Sequence, residues 1–208
     1  MSAHRVKIYA GFERLWHWLQ ALFIIILMIT GFEIHGSYTL FGFETAVRIH
    51  NIIAWSFIIL IVFAIFWHIT TGAWRQYQPT GERSLVTQGR YYAFGIFKGE
   101  DHPYRKTELS KLNPLQKTTY LAFKILIVPV MVTTGLLYVF YNSWSSIWPG
   151  GLAWVAIIHA FGAFILVIFL IVHVYMTSTG ETPLSNVTAM VTGYEDIEDA
   201  PEEEPATV

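Results

Sequence analysis

Polar residues are so sparse along most of this chain that their positions mark out its elements. Four stretches, Phe12–Phe32, Ala46–Trp74, Thr119–Tyr141 and Leu152–Thr177, are almost wholly apolar. Each reaches the roughly twenty residues an α-helix needs to cross bilayer hydrocarbon. The pattern predicts an all-α integral membrane protein, a bundle of four transmembrane helices. Short turns, "HGSYTLFGFET" and "NSWSSIWPGG", join the first helix to the second and the third to the fourth. Residues 75–118 form a longer connection, too short for a second domain and long for a structureless loop, a length that points to function. Residues 1–193 therefore read as one transmembrane domain. The acidic stretch 194–208 reads as a solvated, disordered tail. The first span opens on Phe-Glu-Arg and lacks a small-residue cleavage site, so it is expected to be retained rather than cleaved as a signal peptide.

Composition sharpens this only slightly. The chain has 208 residues, 54% of them hydrophobic and 13% charged, against about a quarter charged in soluble domains. There is no cysteine, which excludes disulfides, cysteine-held iron–sulfur clusters and covalent c-type haem in this chain. No soluble basic patch exists, so nucleic acid is set aside as a partner. Lysine and arginine gather before the first span (Arg5, Lys7, Arg14) and between the second and third (from Arg75 to Lys117), with Arg48 alone on the other side. By the positive-inside rule both termini and the connection 75–118 face the cytoplasm. Trp16, Trp18, Trp74, Trp144 and Trp148 suit an interfacial belt, Lys124 can snorkel to the inner edge, and Pro129 is expected to kink the third helix.

Chemistry enters with histidine. Five of the eight lie in or at the edge of spans: His17, His50, His68, His159 and His173. Such rings face a bundle interior and are functional by default. His159 and His173 are fourteen residues apart, about 40° short of four turns, so they share a face roughly 21 Å apart. That is too far for one metal ion and suits two sites, one per leaflet. Matching levels pairs His50 with His159 near the outer surface and His17 with His173 near the inner one. Two stacked bis-histidine pairs would hold two b haems, with Ala160, Gly162 and Ala163 leaving room for a macrocycle. His68 falls about 6 Å beyond the level of His173, and reads either as an alternative inner ligand or as a quinone-site or propionate-side residue. Arg14, one turn before His17, could pair a haem propionate. His4, His35 and His102 read as surface histidines. A weak repeat relates "RIHNIIAWSFI" to "IIHAFGAFILV", and Thr30-Gly31 to Thr134-Gly135.

Two other readings compete. A haem-free transporter or anchor would also use membrane histidines, but a transporter would normally add membrane carboxylates, and the span cores lack them. A stand-alone cytochrome b that oxidises quinol with a small acceptor such as superoxide would need a substrate site at the outer pair.

With these residues in view, the chain resembles the di-haem cytochrome b subunits of membrane-bound formate dehydrogenases, nickel–iron hydrogenases and thiosulfate reductases. The resemblance covers nearly all of Phe12 to Gly193. It rests on "RLWHW" with His17, "RIH" with His50, and "HAFGAFILVIFLIVHVYM" with His159 and His173. It implies haem ligation by those four histidines. Through "LNPLQK" it also implies a menaquinone or ubiquinone site at Asn113 and Gln116, bordered by His173. A periplasmic iron–sulfur, molybdopterin, nickel–iron or multihaem cytochrome subunit would be the redox partner, at a bacterial inner membrane. The acidic tail departs from the basic tail of formate dehydrogenase subunits.

Overall fold

The computed structural model describes residues 3–78, 82–100, 103, 111–180 and 182–198. Along the chain run strand β1 (Ala3–Lys7) and helices α1 (Gly11–Ile34), α2 (Phe43–Thr71), α3 (Glu82–Arg90), α4 (Pro114–Val139), α5 (Gly151–Thr177) and α6 (Ser185–Thr192). Strand β2 (Tyr194–Glu198) follows. Helices α1, α2, α4 and α5 are 24, 29, 26 and 27 residues long, enough at about 1.5 Å per residue to cross the hydrocarbon. The expected multi-pass, all-α membrane bundle is the observed architecture. α1 packs on α2 and α4 on α5, two hairpins side by side. One end of the bundle, here the hairpin end, holds the two short turns. The opposite, loop end holds β1, β2 and the described residues between α2 and α4. Outward positions such as Ile59, Phe63, Phe66, Ile168 and Ile171 are exposed hydrophobics, as lipid-facing helices require.

Boundaries shift where backbone chemistry decides them. α2 stops at Thr71 because Gly72 adopts the left-handed conformation, φ +71°, so Trp74 belongs to the following single turn, Ala73–Tyr77. α4 begins at Pro114, with the fixed φ of proline suited to a first helical position. Its turn Phe123–Ile127 widens to π spacing. Pro129 has no N–H for the Ile125 carbonyl, and the helix is irregular just ahead of it, where a kink was expected. Part of the connection 75–118 is ordered, as α3, a π turn at Tyr91–Gly95 and a 3₁₀ turn at Ile96–Lys98.

The acidic tail is also partly built. Tyr194–Glu198 pairs antiparallel with Ala3–Lys7, and Arg5 lies over the Tyr194 ring at 5.3 Å. This corrects the expectation of disorder from residue 194. A basic strand offers backbone partners and opposite charge to an acidic one, which composition alone does not reveal. Residues 199–208 and His102 lie outside the described residues, and of His4 only the backbone is described.

Two buried carboxylates brace the bundle ends. At the hairpin end, Glu33 Oε1 accepts from the N–H groups of Leu40, Phe41 and Gly42 at 2.7, 2.7 and 2.8 Å, anchoring the turn that starts α2. At the loop end, Glu13 Oε2 accepts from Ala10 N at 2.8 Å and from Lys111 Nζ at 3.1 Å, while Gln76 Nε2 donates to Oε1 at 3.4 Å. Replacing Glu33 by leucine would orphan three N–H groups at the start of α2. A lower thermal midpoint is expected, read by circular dichroism in detergent; an unchanged midpoint would refute the anchor.

Candidate functional site

The histidines meet as level-matched pairs. His50 on α2 and His159 on α5 stand at the hairpin end with ring centres 6.5 Å apart. His17 on α1 and His173 on α5 stand at the loop end, 6.1 Å apart. A metal–nitrogen bond of about 2 Å on each side, plus a ring radius of about 1 Å each, puts two axial imidazoles roughly 6 Å apart centre to centre. Both separations suit one metal between two rings. Among the described residues no three metal-ligating side chains converge, so a bare-ion site is not what the four rings form.

The hairpin-end pair is held from behind by two threonines. His50 Nδ1 lies 2.9 Å from Thr30 Oγ1, and His159 Nδ1 lies 2.7 Å from Thr134 Oγ1. Each hydroxyl donates to the carbonyl four residues earlier on its own helix, Thr30 to Ile26 at 2.8 Å and Thr134 to Val130 at 2.6 Å. With its proton so used, each oxygen accepts from the imidazole. Nδ1 therefore carries the hydrogen and Nε2 keeps its lone pair, the tautomer a ligand needs. The neighbouring glycines supply space. A Cβ on Gly31 would come within 3.3 Å of the His50 ring, and one on Gly135 within 3.7 Å of the His159 ring. The weak Thr-Gly repeat in the sequence is thus the trace of two equivalent histidine supports.

A cavity of about 500 Å³ opens between these rings, within the range of cofactor pockets. Its walls are apolar, with small residues at Gly31, Ala54, Gly135, Ala160 and Ala163. Gly162 was expected to give room there as well. Instead it is buried against Met131 of α4, whose Sδ would lie 2.5 Å from an added Cβ, so its smallness serves helix packing. His35, expected at the surface, is exposed at the cavity rim.

The loop-end pair is held less evenly. His173 Nδ1 meets the Tyr120 hydroxyl at 3.2 Å and its ring stacks on Phe169, whereas His17 Nδ1 is buried without a partner among the described residues. A family model described as prokaryotic cytochrome b561 matches residues 8–193. The chain belongs to the prokaryotic cytochrome b561 family. Among curated proteins it is similar to YdhU of Escherichia coli strain K12, named as a cytochrome. Identity is 32% over 197 residues, covering 91% of this chain and 74% of that protein. It is also similar to YedZ1 of Azospira oryzae, named as a subunit of a protein-methionine-sulfoxide reductase. There identity is 26% over 198 residues, covering 86% of this chain and 93% of the relative. No solved structure matches. The chain is thus a multi-pass membrane cytochrome b of electron transport, and its family implies haem b.

The residues of this cytochrome fit that group. The ring separations suit axial ligation, the hairpin-end cavity is apolar and of cofactor size, and two buried nitrogens at the loop end, His17 Nδ1 and Arg14 Nε, have no partner among the described residues.

Other expected residues take different positions. Arg14 Nη1 donates to the Val191 carbonyl at 2.6 Å, and Trp18, expected in the aromatic belt, donates to Met190 O at 3.2 Å. Together they tie α1 to α6. Asn113 and Gln116 form a reciprocal cap at the start of α4: Gln116 N donates to Asn113 Oδ1 at 2.8 Å and Asn113 N to Gln116 Oε1 at 3.0 Å. Asn113 Nδ2 also donates to the Tyr92 hydroxyl at 3.1 Å. Burial pushes the Tyr92 phenol up from its ordinary pKa, and those of Tyr9 and Tyr77 likewise, so all three stay neutral at physiological pH.

His68 is not gathered with His17 and His173. Its Nδ1 donates to the Ala64 carbonyl at 2.7 Å, and its Nε2 receives Lys124 Nζ at 3.2 Å. Lys124 was expected to snorkel to the inner edge. Its ammonium lies 3.4 Å from the centre of the Tyr77 ring and 4.8 Å from that of Trp16. Sequence reasoning missed Thr30, Thr134, Tyr120 and Tyr77. Only the threonines left a signal, their repeat beside glycine.

Proposed function

We propose that this cytochrome is a membrane electron conduit with two b haems, one held by His50 and His159 and the other by His17 and His173. On this reading it works between a periplasmic redox partner at the hairpin end and a quinone at the loop end. The observation that carries it is the pair of level-matched histidine couples, each at a separation suited to axial ligation. Bound haem b supplies a one-electron carrier whose potential follows ligation, hydrogen bonding and burial.

The rest is the work of the chain. Thr30 and Thr134 fix the tautomer and aim of their rings, Tyr120 orients His173, and the apolar walls exclude water. Arg14, beside His17 and with Nε unpartnered, is placed for a propionate. Asn113 keeps one Nδ2 hydrogen and Gln116 its whole Nε2 group outside the cap, and these are the donors assigned to a quinone carbonyl. The lysine and arginine distribution puts the loop end and both termini in the cytoplasm. The name of the YedZ1 relative, a reductase subunit, supports a membrane subunit working with a larger oxidoreductase.

A pyridine haemochrome assay with a reduced-minus-oxidised spectrum tests this on the purified protein. Two b haems per chain are expected; one or none overturns the reading. In the same assay, Thr30→Val combined with Thr134→Val removes both acceptors behind the hairpin-end rings. Losing the hydrogen-bond partner behind a metal ligand typically weakens binding about 10–100-fold, so one haem of the two should wash out during purification. Full retention of both would mean that the threonines do not support the ligands.

A further inference from the structure

The contact between His68 and Lys124 belongs to neither histidine pair. Lys124 sits on the π turn of α4, and such turns gather at functional positions. Its ammonium touches the face of Tyr77, lies near Trp16 and donates to His68 Nε2. The negative charge acting on it comes from Glu13 on α1, itself bonded to Lys111 and Gln76. The Tyr77 hydroxyl stands 3.5 Å from His68 Nε2. Snorkelling would turn the amine toward water. This arrangement turns it toward a second base, and no carboxylate contacts it among the described residues.

We propose that His68 and Lys124 form a shared-proton site at the loop end. Because His68 Nδ1 donates to Ala64, Nε2 is the ring's open basic position. Transfer breaks one Nζ–H bond of Lys124 and forms Nε2–H on His68; the positive charge passes from ammonium to imidazolium and no electron moves. One site thus keeps a proton beneath the membrane surface in either of two forms. Trp16, which contacts the His68 ring edge-on at 5.5 Å, immediately precedes His17, so the pair lies beside the loop-end histidines. That its proton offsets an electron arriving there rests on the proposed function.

Two measurements test it. In the purified holoprotein, spectroelectrochemical titration between pH 6 and 9 is expected to show the loop-end haem losing potential as pH rises. The slope should approach a tenfold change in oxidised-to-reduced ratio per pH unit, about 59 mV for a one-electron couple. Lys124→Arg keeps the charge and the aromatic contacts but cannot release a proton, so its slope should flatten; Lys124→Met should flatten too. A merely structural cation would let Lys124→Arg keep the wild-type slope, and that result overturns the proposal, as does a wild type without slope. The second readout needs no haem. The ¹³Cε resonance of Lys124, assigned by its loss in Lys124→Arg, should change its titration midpoint when His68 is replaced by glutamine. A midpoint indifferent to His68→Gln overturns the shared site, whereas missing haem with a shifted midpoint faults only the conduit.

Discussion

His159→Ala is expected to leave one b haem in place of two, and His173→Ala to do the same from the opposite end. Both residues lie on α5, fourteen positions apart, so about 21 Å of helix separates the two losses and neither should spread to the other. In His159→Ala the vacated space opens on the apolar cavity between α2 and α5, where His50 remains fixed by Thr30. One fixed imidazole without its opposite number gives a weakly held group. In His173→Ala the remaining ring is His17, whose Nδ1 has no anchor, so retention at that end should be lower still. Pyridine haemochrome stoichiometry with low-temperature difference spectra reads both. If either single change empties both sites, or neither, the two-pair assignment fails.

Glu13→Ala is expected to be the most damaging change outside the histidines. The carboxylate is buried and joins three separate segments: the start of α1 through Ala10, the turn after α2 through Gln76, and the approach to α4 through Lys111. Truncating one partner of a buried pair costs about 3–5 kcal/mol. Lys111 is a quarter exposed, so partial solvent screening lowers the expected loss to about 2–3 kcal/mol. Scanning calorimetry or the thermal loss of helical signal in detergent would show it. Glu13→Gln keeps hydrogen bonding while removing charge and should recover part of the loss. Equal midpoints for Glu13→Ala and the wild type would show that the three segments hold together without it.

The bundle was legible because hydrocarbon imposes its own rule: a helix must stay apolar for its full crossing, and four stretches do. The pairing of histidines was legible for a similar reason, since rise and rotation per residue are fixed within a helix and the spacing of His159 and His173 becomes a geometry. Thr30 and Thr134 were beyond reach as supports. Whether a hydroxyl meets a ring on the next helix depends on how the two helices are rotated, and nothing local sets that. Asn113-Pro-Leu-Gln116 carried a readable capping signature, a cap residue with glutamine three positions on, beside the quinone role its family resemblance implies. What Lys124 reaches was not legible, because Tyr77 comes from a different segment. The tail was misjudged because its composition speaks for solvation while its partner strand lies at the other end of the chain.

That strand carries a consequence for biogenesis. β1 leaves the ribosome before the four membrane helices, and its partner, Tyr194–Glu198, only after them. Between those moments the start of α1 has neither β2 nor the α6 carbonyls that Arg14 and Trp18 hold. Closing the collar needs Gly193, whose φ of +89° and tight approach to the Tyr9 carbonyl leave no room for a side chain. Nascent chains halted before this junction would insert all four helices yet expose bare strand edge and an unmet guanidinium at the membrane surface. Such features distinguish an unfinished copy from a finished one.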